Sequence, residues 1–247
     1  MEIHKPKAPH SWGELAREIA VIVTGILIAL GLEEFVRANH ERELAREARA
    51  AIRQEVQDNL NAMLVREVTL NCVGRRLDEV GALLEKTREG ELAPRPSWIG
   101  QPAVSVIQTQ RWEAATSAGR TSLLSEKEQG QFARVYALMR NFSRDESDEQ
   151  AAWAQLRALE SWQGPIGPGG RVHFSEALQK ARYEFWTLPW SIRLTREFTE
   201  ALGVRARPVH SISDRYKGIP HAVCLPITTS RDQALKLLAD NPFGQPR

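Results

Sequence analysis

Ile19 to Leu32, IAVIVTGILIALGL, carries no charge in a chain whose composition is 26% charged, and any fold must find a place for it. As a helix rising about 1.5 Å per residue, the run alone covers roughly 21 Å, short of the roughly 30 Å hydrocarbon core of a bilayer. Its flanks extend it. Leu15 and Ala16 precede the run and Phe35 and Val36 follow it, so a helix over 15–36 reaches about 33 Å. Arg17, Glu18, Glu33 and Glu34 lie near its two ends, where long side chains reach the headgroups and the bilayer thins locally. Trp12 stands one turn outside, at interface depth. The pattern predicts one transmembrane helix over 15–36 behind a short polar tail, 1–14. Two other readings stand beside it. In a cleaved signal peptide Ala29 and Gly31 would form the A-x-G site, although Glu2, Glu14 and Glu18 dilute the charge of Lys5, Lys7 and Arg17. A soluble core helix, apolar all round, would need burial on every side.

Gly25 and Ala29 form a small-x-x-x-small pair in the segment, and Ala20, Thr24 and Gly31 a second small strip, which lets another helix approach closely. A short span with acidic ends also favours self-association, which relieves mismatch. The stretch Glu18-Ile19-Ala20-Val21-Ile22-Val23-Thr24-Gly25-Ile26-Leu27-Ile28-Ala29-Leu30, preceded by His10-Ser11-Trp12 and followed by Glu33-Glu34, resembles the opening of a group of uncharacterised bacterial membrane proteins. These share a segment of the form E-I-x-x-x-V-x-G-I-L-I-A-L and carry a domain of unknown function. The resemblance covers only this N-terminal part. It implies a single-pass protein of the bacterial inner membrane and no particular activity.

Downstream, 42% hydrophobic content and a net charge of +2 describe a folded chain, and the near-neutral balance argues against a nucleic-acid partner. Cys72 and Cys224 lack metal-type spacing. Two buried or free thiols are the default expectation; a disulfide between them is the alternative if the domain is exported.

The expected fold class is all-α: an N-terminal transmembrane helix continuing into a long stalk helix, then a small helical bundle. Over 37–90 the residues Ile52, Val56, Leu60, Met63, Leu70, Val73, Leu77, Val80 and Leu84 recur mostly at threes and fours, one helix stripe that needs a partner, either a second copy or the bundle downstream. The connection 91–110 contains Pro94, Pro96, Gly100 and Pro102 and reads as extended. In the bundle, 111–203, a short helix runs from Arg111 to Ala118, and capping boxes at Ser125/Glu128 and Ser143/Glu146 predict two helices. The run Gly164 to Gly170 reads as non-helical. Ser175 starts a helix that Pro189 kinks or splits. The tail 204–247 is mixed, with an extended piece at 222–225 and a short helix capped by Ser230 and Gln233.

Chemistry is sparse. H-E-x-x-H is absent because Leu44 stands where the second His would be, and no nucleophile elbow, phosphate loop or dinucleotide fingerprint occurs. His210 and Asp214 read as a solvated turn. Arg42, Arg46, Arg49 and Arg53 make a basic strip close above the apolar segment, suited to anionic lipid or an acidic partner, although Glu41, Glu43, Glu47 and Glu55 on adjoining faces fit a solvated stalk. Asp145, Glu146, Asp148 and Glu149 read as a stabilised helix start, and Ser117 to Ser122 as a turn. Trp98, Trp112, Trp153, Trp162, Trp186 and Trp190 read mainly as core. The expectation is a non-enzymatic, cofactor-free interaction or assembly module anchored in the bilayer. It would self-associate through the membrane helix and stalk, with an unknown protein partner, and its short N-terminal tail favours export of the C-terminal domain to the periplasm. A sensing or ligand-binding domain is the alternative. An enzyme would require groups such as His173, His210 and Asp145 to converge.

Overall fold

The computed structural model describes residues 12–87, 92, 95–208 and 221–239. The polar tail before Trp12, the His210/Asp214 pair and the chain beyond Ala239 lie outside the described residues. Among the described residues five α-helices occur: α1 (Trp12–Lys86), α2 (Gln110–Ser117), α3 (Glu126–Arg157), α4 (Pro168–Ala201) and α5 (Arg231–Leu238). Short 3-10 turns occur at Arg120–Leu123, Ala158–Glu160 and Ala222–Cys224. The described fold is all-α.

α1 is unbroken over 75 residues, about 112 Å at helical rise. Its first third is bare: an apolar window of mean hydropathy 2.2 has none of its residues buried. From Ala45 onward the same helix enters the core, with Ile52, Val56, Leu60, Met63, Val73 and Val80 fully buried. The stripe expected to need a partner is therefore covered by its own chain.

Cross-contacts give the topology. α3 climbs parallel to α1, pairing Arg49 with Glu128, Glu55 with Tyr136, Asn59 with Met139 and Arg66 with Glu149. α4 descends, pairing Asp78 with Arg182 and Arg53 with the Leu202 carbonyl. A fourth element also descends, and it is not a helix. The extended segment 95–109 runs down the groove between α1 and α3, from Trp98 beside Arg76 to Gln108 beside Asn59. Up–down–up–down order is thus achieved with one strap in place of a helix.

Two apolar clusters stack along the axis. The lower, nearer the bare end of α1, gathers Ile52, Val56, Met63, Phe132, Tyr136, Phe142, Leu188 and Ile192. The upper gathers Val73, Leu77, Val80, Trp153, Leu156, Phe174, Leu178 and Val223. A buried charged layer of Arg66, Glu146, Glu149 and Glu184 lies between them. α5 closes the top: Ala234 and Leu238 pack with Trp98 and Ala222. There Gly100, at φ +71°, lets two backbones meet, since a Cβ would lie 2.4 Å from the Ala222 carbonyl oxygen.

Several expectations are corrected. Both cap side-chain bonds of the Ser125/Glu128 and Ser230/Gln233 boxes form, but Ser143 is mid-helix. Phe142, Glu146, Glu149 and Trp153 continue the buried face of α3 at steps of four, three and four, so nothing breaks the helix there. The glycine-proline run yields α4 seven residues early, because Gly167 is its N-cap and Pro168 takes the first turn, where a missing N–H costs nothing. Pro189 does not split α4; buried Leu188 and Ile192 on either side hold it to the lower cluster. The piece at Ala222–Cys224 is a 3-10 turn.

Cys72 and Cys224 form a disulfide, with Cα atoms 4.9 Å apart across 152 residues of sequence, and are not free thiols. Sequence distance hid the pair. Val204 packs in the lower cluster while Val223 packs in the upper one, so the tail crosses from one to the other and Cys224 arrives beside α1.

Candidate functional site

The most elaborate chemistry in the molecule is the seam between α1, the strap and α3. An extended segment has backbone N–H and C=O groups that no neighbouring strand satisfies here, and leaving them buried and unpaired would cost about 1–3 kcal/mol each. Side chains answer them from both sides. From α1, Asn59 is bidentate to Gln108: its Nδ2 donates to the carbonyl at 2.7 Å and its Oδ1 accepts from the N–H at 2.8 Å. Arg66 donates to the Ala103 carbonyl at 3.2 Å. Arg76 donates to the carbonyls of Trp98, at 2.8 Å, Ile99 and Leu225. From α3, Glu146 accepts from the Ser105 N–H and hydroxyl and Gln150 donates to the Pro102 carbonyl, and from the 3-10 turn that follows α3, Glu160 accepts from the Ile99 N–H at 2.7 Å. At the foot, Glu55 accepts from the N–H groups of Arg111 and Trp112 as α2 begins, and from the Tyr136 hydroxyl at 2.6 Å.

Burial sets the protonation of this layer. Desolvation pushes the Glu146 carboxyl up to about 7, against the attraction of Arg66 and the Ser105 hydrogen bonds. Glu149 is likewise raised by burial, although it pairs with Arg66 and lies beside the Trp153 indole. Desolvation also lowers Arg76 and raises the Tyr136 phenol. Glu149 Oε2 and Arg66 Nε have no hydrogen-bond partner, so the layer is incompletely satisfied. Its net effect is positional: it fixes the height of the strap against both helices.

The residues singled out from sequence are not gathered into one place. Arg42 reaches only Asn39 and Arg46 pairs with Glu43, both on the exposed helix. Arg49 is bidentate to Glu128 at 2.7 and 2.9 Å, which holds the Glu128 carboxyl down at about 2. Arg53 donates to the Leu202 carbonyl. Only the first two remain available to a surface; the others fasten α3 and the end of α4 to α1. Gly25 opens on empty space, since a Cβ there would meet nothing within 4 Å, and Ala29 is exposed on the same bare segment. Glu146 and Glu149 belong to the buried seam, whereas Asp148 pairs with Lys180 at 2.8 Å, so the acidic cluster is not a helix start. His173 lies near the upper end of α4 and Asp145 at mid-height on α3, so these two do not converge. Within 117–122, Ser117 ends α2, and a turn through Gly119, at φ +68°, leads into the 3-10 turn Arg120–Leu123.

Sequence reasoning missed the seam. Its signal was a polar row at Glu55, Asn59, Arg66 and Arg76 running beside the apolar stripe of α1, legible only once an extended partner is known. It also assigned Trp186 and Trp190 to the core. They are 75% and 61% exposed and share an outer face of α4 with Tyr183, 65% exposed.

An open cleft of about 1010 Å³ lies between the upper ends of α1 and α4, lined by charged groups including Asp78, Glu85, Arg171, Glu176 and Arg182. Among the described residues no group of three or more His, Cys, Asp or Glu could hold a metal ion. Comparison with models of known protein families, with curated proteins and with solved structures finds no match.

Proposed function

We propose that this chain is a single-pass protein of the bacterial inner membrane whose helical domain is exported to the periplasm and acts as an anchored, non-catalytic interaction or assembly module. The observation that carries the reading is the division of one continuous helix. The lower part of α1 is apolar and bare, and the upper part is the central core helix of the domain. A membrane supplies the cover the lower part lacks. With no break between the two parts, the domain stands directly over the bilayer in a set orientation, and confinement to a surface raises its effective concentration for partners there.

The Cys72–Cys224 bond supports the exported orientation, since such bonds persist in oxidising compartments. The seam is a positioning device and supports structural work. Alkaline carbonate extraction of membranes, paired with a thiol-alkylation gel shift, tests both parts. The chain is expected in the pellet, shifted only after reduction; a soluble chain, or one shifted without reductant, contradicts the reading.

The charged cleft between α1 and α4 favours the second reading, a domain that senses a small charged ligand. Arg171 or Arg182 would then be required for a ligand-induced rise in melting temperature.

A further inference from the structure

From the outer face of α4 we infer a second site of contact, between two copies of this chain standing in parallel in one membrane. This deepens the anchored-module reading and rests on it. Tyr183, Trp186 and Trp190 recur at steps of three and four and project outward, each more than 60% exposed. Above them Val172 is also exposed on α4, and Arg193 and Glu197 continue the row below. This is a helix-pairing stripe in the a/d sense, with aromatic residues at its centre.

Three candidate covers are set apart by position, area and symmetry. Lipid is too far away: Phe185 packs against Gly74, 38 residues beyond Val36 along α1, so the aromatics stand about 50–57 Å above the end of the apolar segment. The α1 stripe of a second copy is not available either, because the domain buries it internally. A second α4 is available. Copies inserted with the same topology are related by a two-fold axis along the membrane normal, which brings each stripe to the other at equal height and in parallel. Arg193 of one copy then neighbours Glu197 of the other, so the lower end of the stripe is charge-complementary.

Area explains why the contact needs the membrane. Aromatic side chains bury about 150–250 Å² each, so the exposed parts of three bring roughly 300–500 Å² per copy, or about 600–1,000 Å² in all. That is below the 1,200–2,000 Å² or so of an interface that holds in free solution. Anchoring in two dimensions supplies the difference through effective concentration.

A symmetric parallel pair places each stripe residue opposite itself, so one introduced cysteine reports it. The full chain carrying Gln179→Cys, with the native disulfide intact, is oxidised in membranes, and Val106→Cys on the strap serves as the off-stripe control. Gln179→Cys is expected to give a reductant-sensitive dimer. Adding Trp186→Ala and Trp190→Ala should reduce it about tenfold or more, as should dilution in detergent before the oxidation. Equal crosslinking from the two positions, no loss on removing the tryptophans, or a Gln179→Cys adduct to a different protein would overturn the inference. So would a melting temperature lowered by the tryptophan substitutions with no dimer in any form, which would show that the stripe is covered within its own chain. Carbonate extraction of the same samples separates the failures. A pelleted chain without dimer contradicts this contact alone, whereas a soluble chain contradicts the anchored reading beneath it.

Discussion

Glu146 shows how the chain uses a carboxyl as a spacer. Its oxygens meet the Ser105 N–H and hydroxyl in a layer where Arg66 is already paired with Glu149, and burial raises it to about 7 from the ordinary 4.5. The folded protein therefore binds more protons than the unfolded chain between those values. Its stability contribution is complete below pH 4.5 and is lost as pH rises to about 7. The size of the loss is about 3 kcal/mol. Glu146→Gln keeps a carbonyl for the Ser105 N–H and removes the titration. In chemical denaturation of the full chain in micelles, the variant should gain on the wild type from pH 5 to pH 8; parallel profiles would contradict this. Arg66→Met should cost about 3–5 kcal/mol, because it strands Glu149. Adding Glu149→Gln should recover part of that loss, and additive losses would show that the two do not act as a pair.

At the scale of elements, the strap decides how the bundle closes. Four up-and-down segments are required, and proline-rich 95–109 cannot supply a helix, so α1 and α3 provide the hydrogen bonds that a helix would have made for itself. Asn59→Ala removes both bonds to Gln108 and should cost about 1–3 kcal/mol. Faster hydrogen exchange at the Gln108 amide should accompany it, and unchanged exchange would show that the strap is held elsewhere. The Cys72–Cys224 bond ties the C-terminal segment to α1 across 152 residues, and replacing both cysteines by Ser should lower stability by about 2–5 kcal/mol. The helices were largely legible in the sequence because apolar spacing and Ser-x-x-Glu caps are local signals. The seam was not. An isolated Arg66 or Glu146 reads as a surface charge until the residues of 95–109 are laid against it. The acidic run at 145–149 mimicked a helix start for the same reason, and Trp186 and Trp190 were misassigned because periodicity cannot say which face of a two-faced helix is covered.

At the scale of the whole molecule, one helix carries both a bare apolar segment and the core stripe of the domain. Its lower third is apolar and exposed and its upper half lines a protein core, and α3, the strap and α4 are ordered around that upper half by the seam. Of the basic strip, Arg49 and Arg53 fasten the domain, whereas Arg42 and Arg46 stay on the exposed helix with only the local partners Asn39 and Glu43. Under the proposed anchoring, such a body would offer partners its position above a membrane and the outer face of α4. The most direct test of anchoring and export is labelling of Val106→Cys by a membrane-impermeant maleimide in intact cells, with the native disulfide left in place. Val106 is 75% exposed on the strap, so burial does not limit the reaction. An anchored, exported domain should be labelled before lysis, on a full-length chain in the membrane fraction. Labelling only after lysis, or a labelled chain shortened and released from the membrane, would contradict that reading.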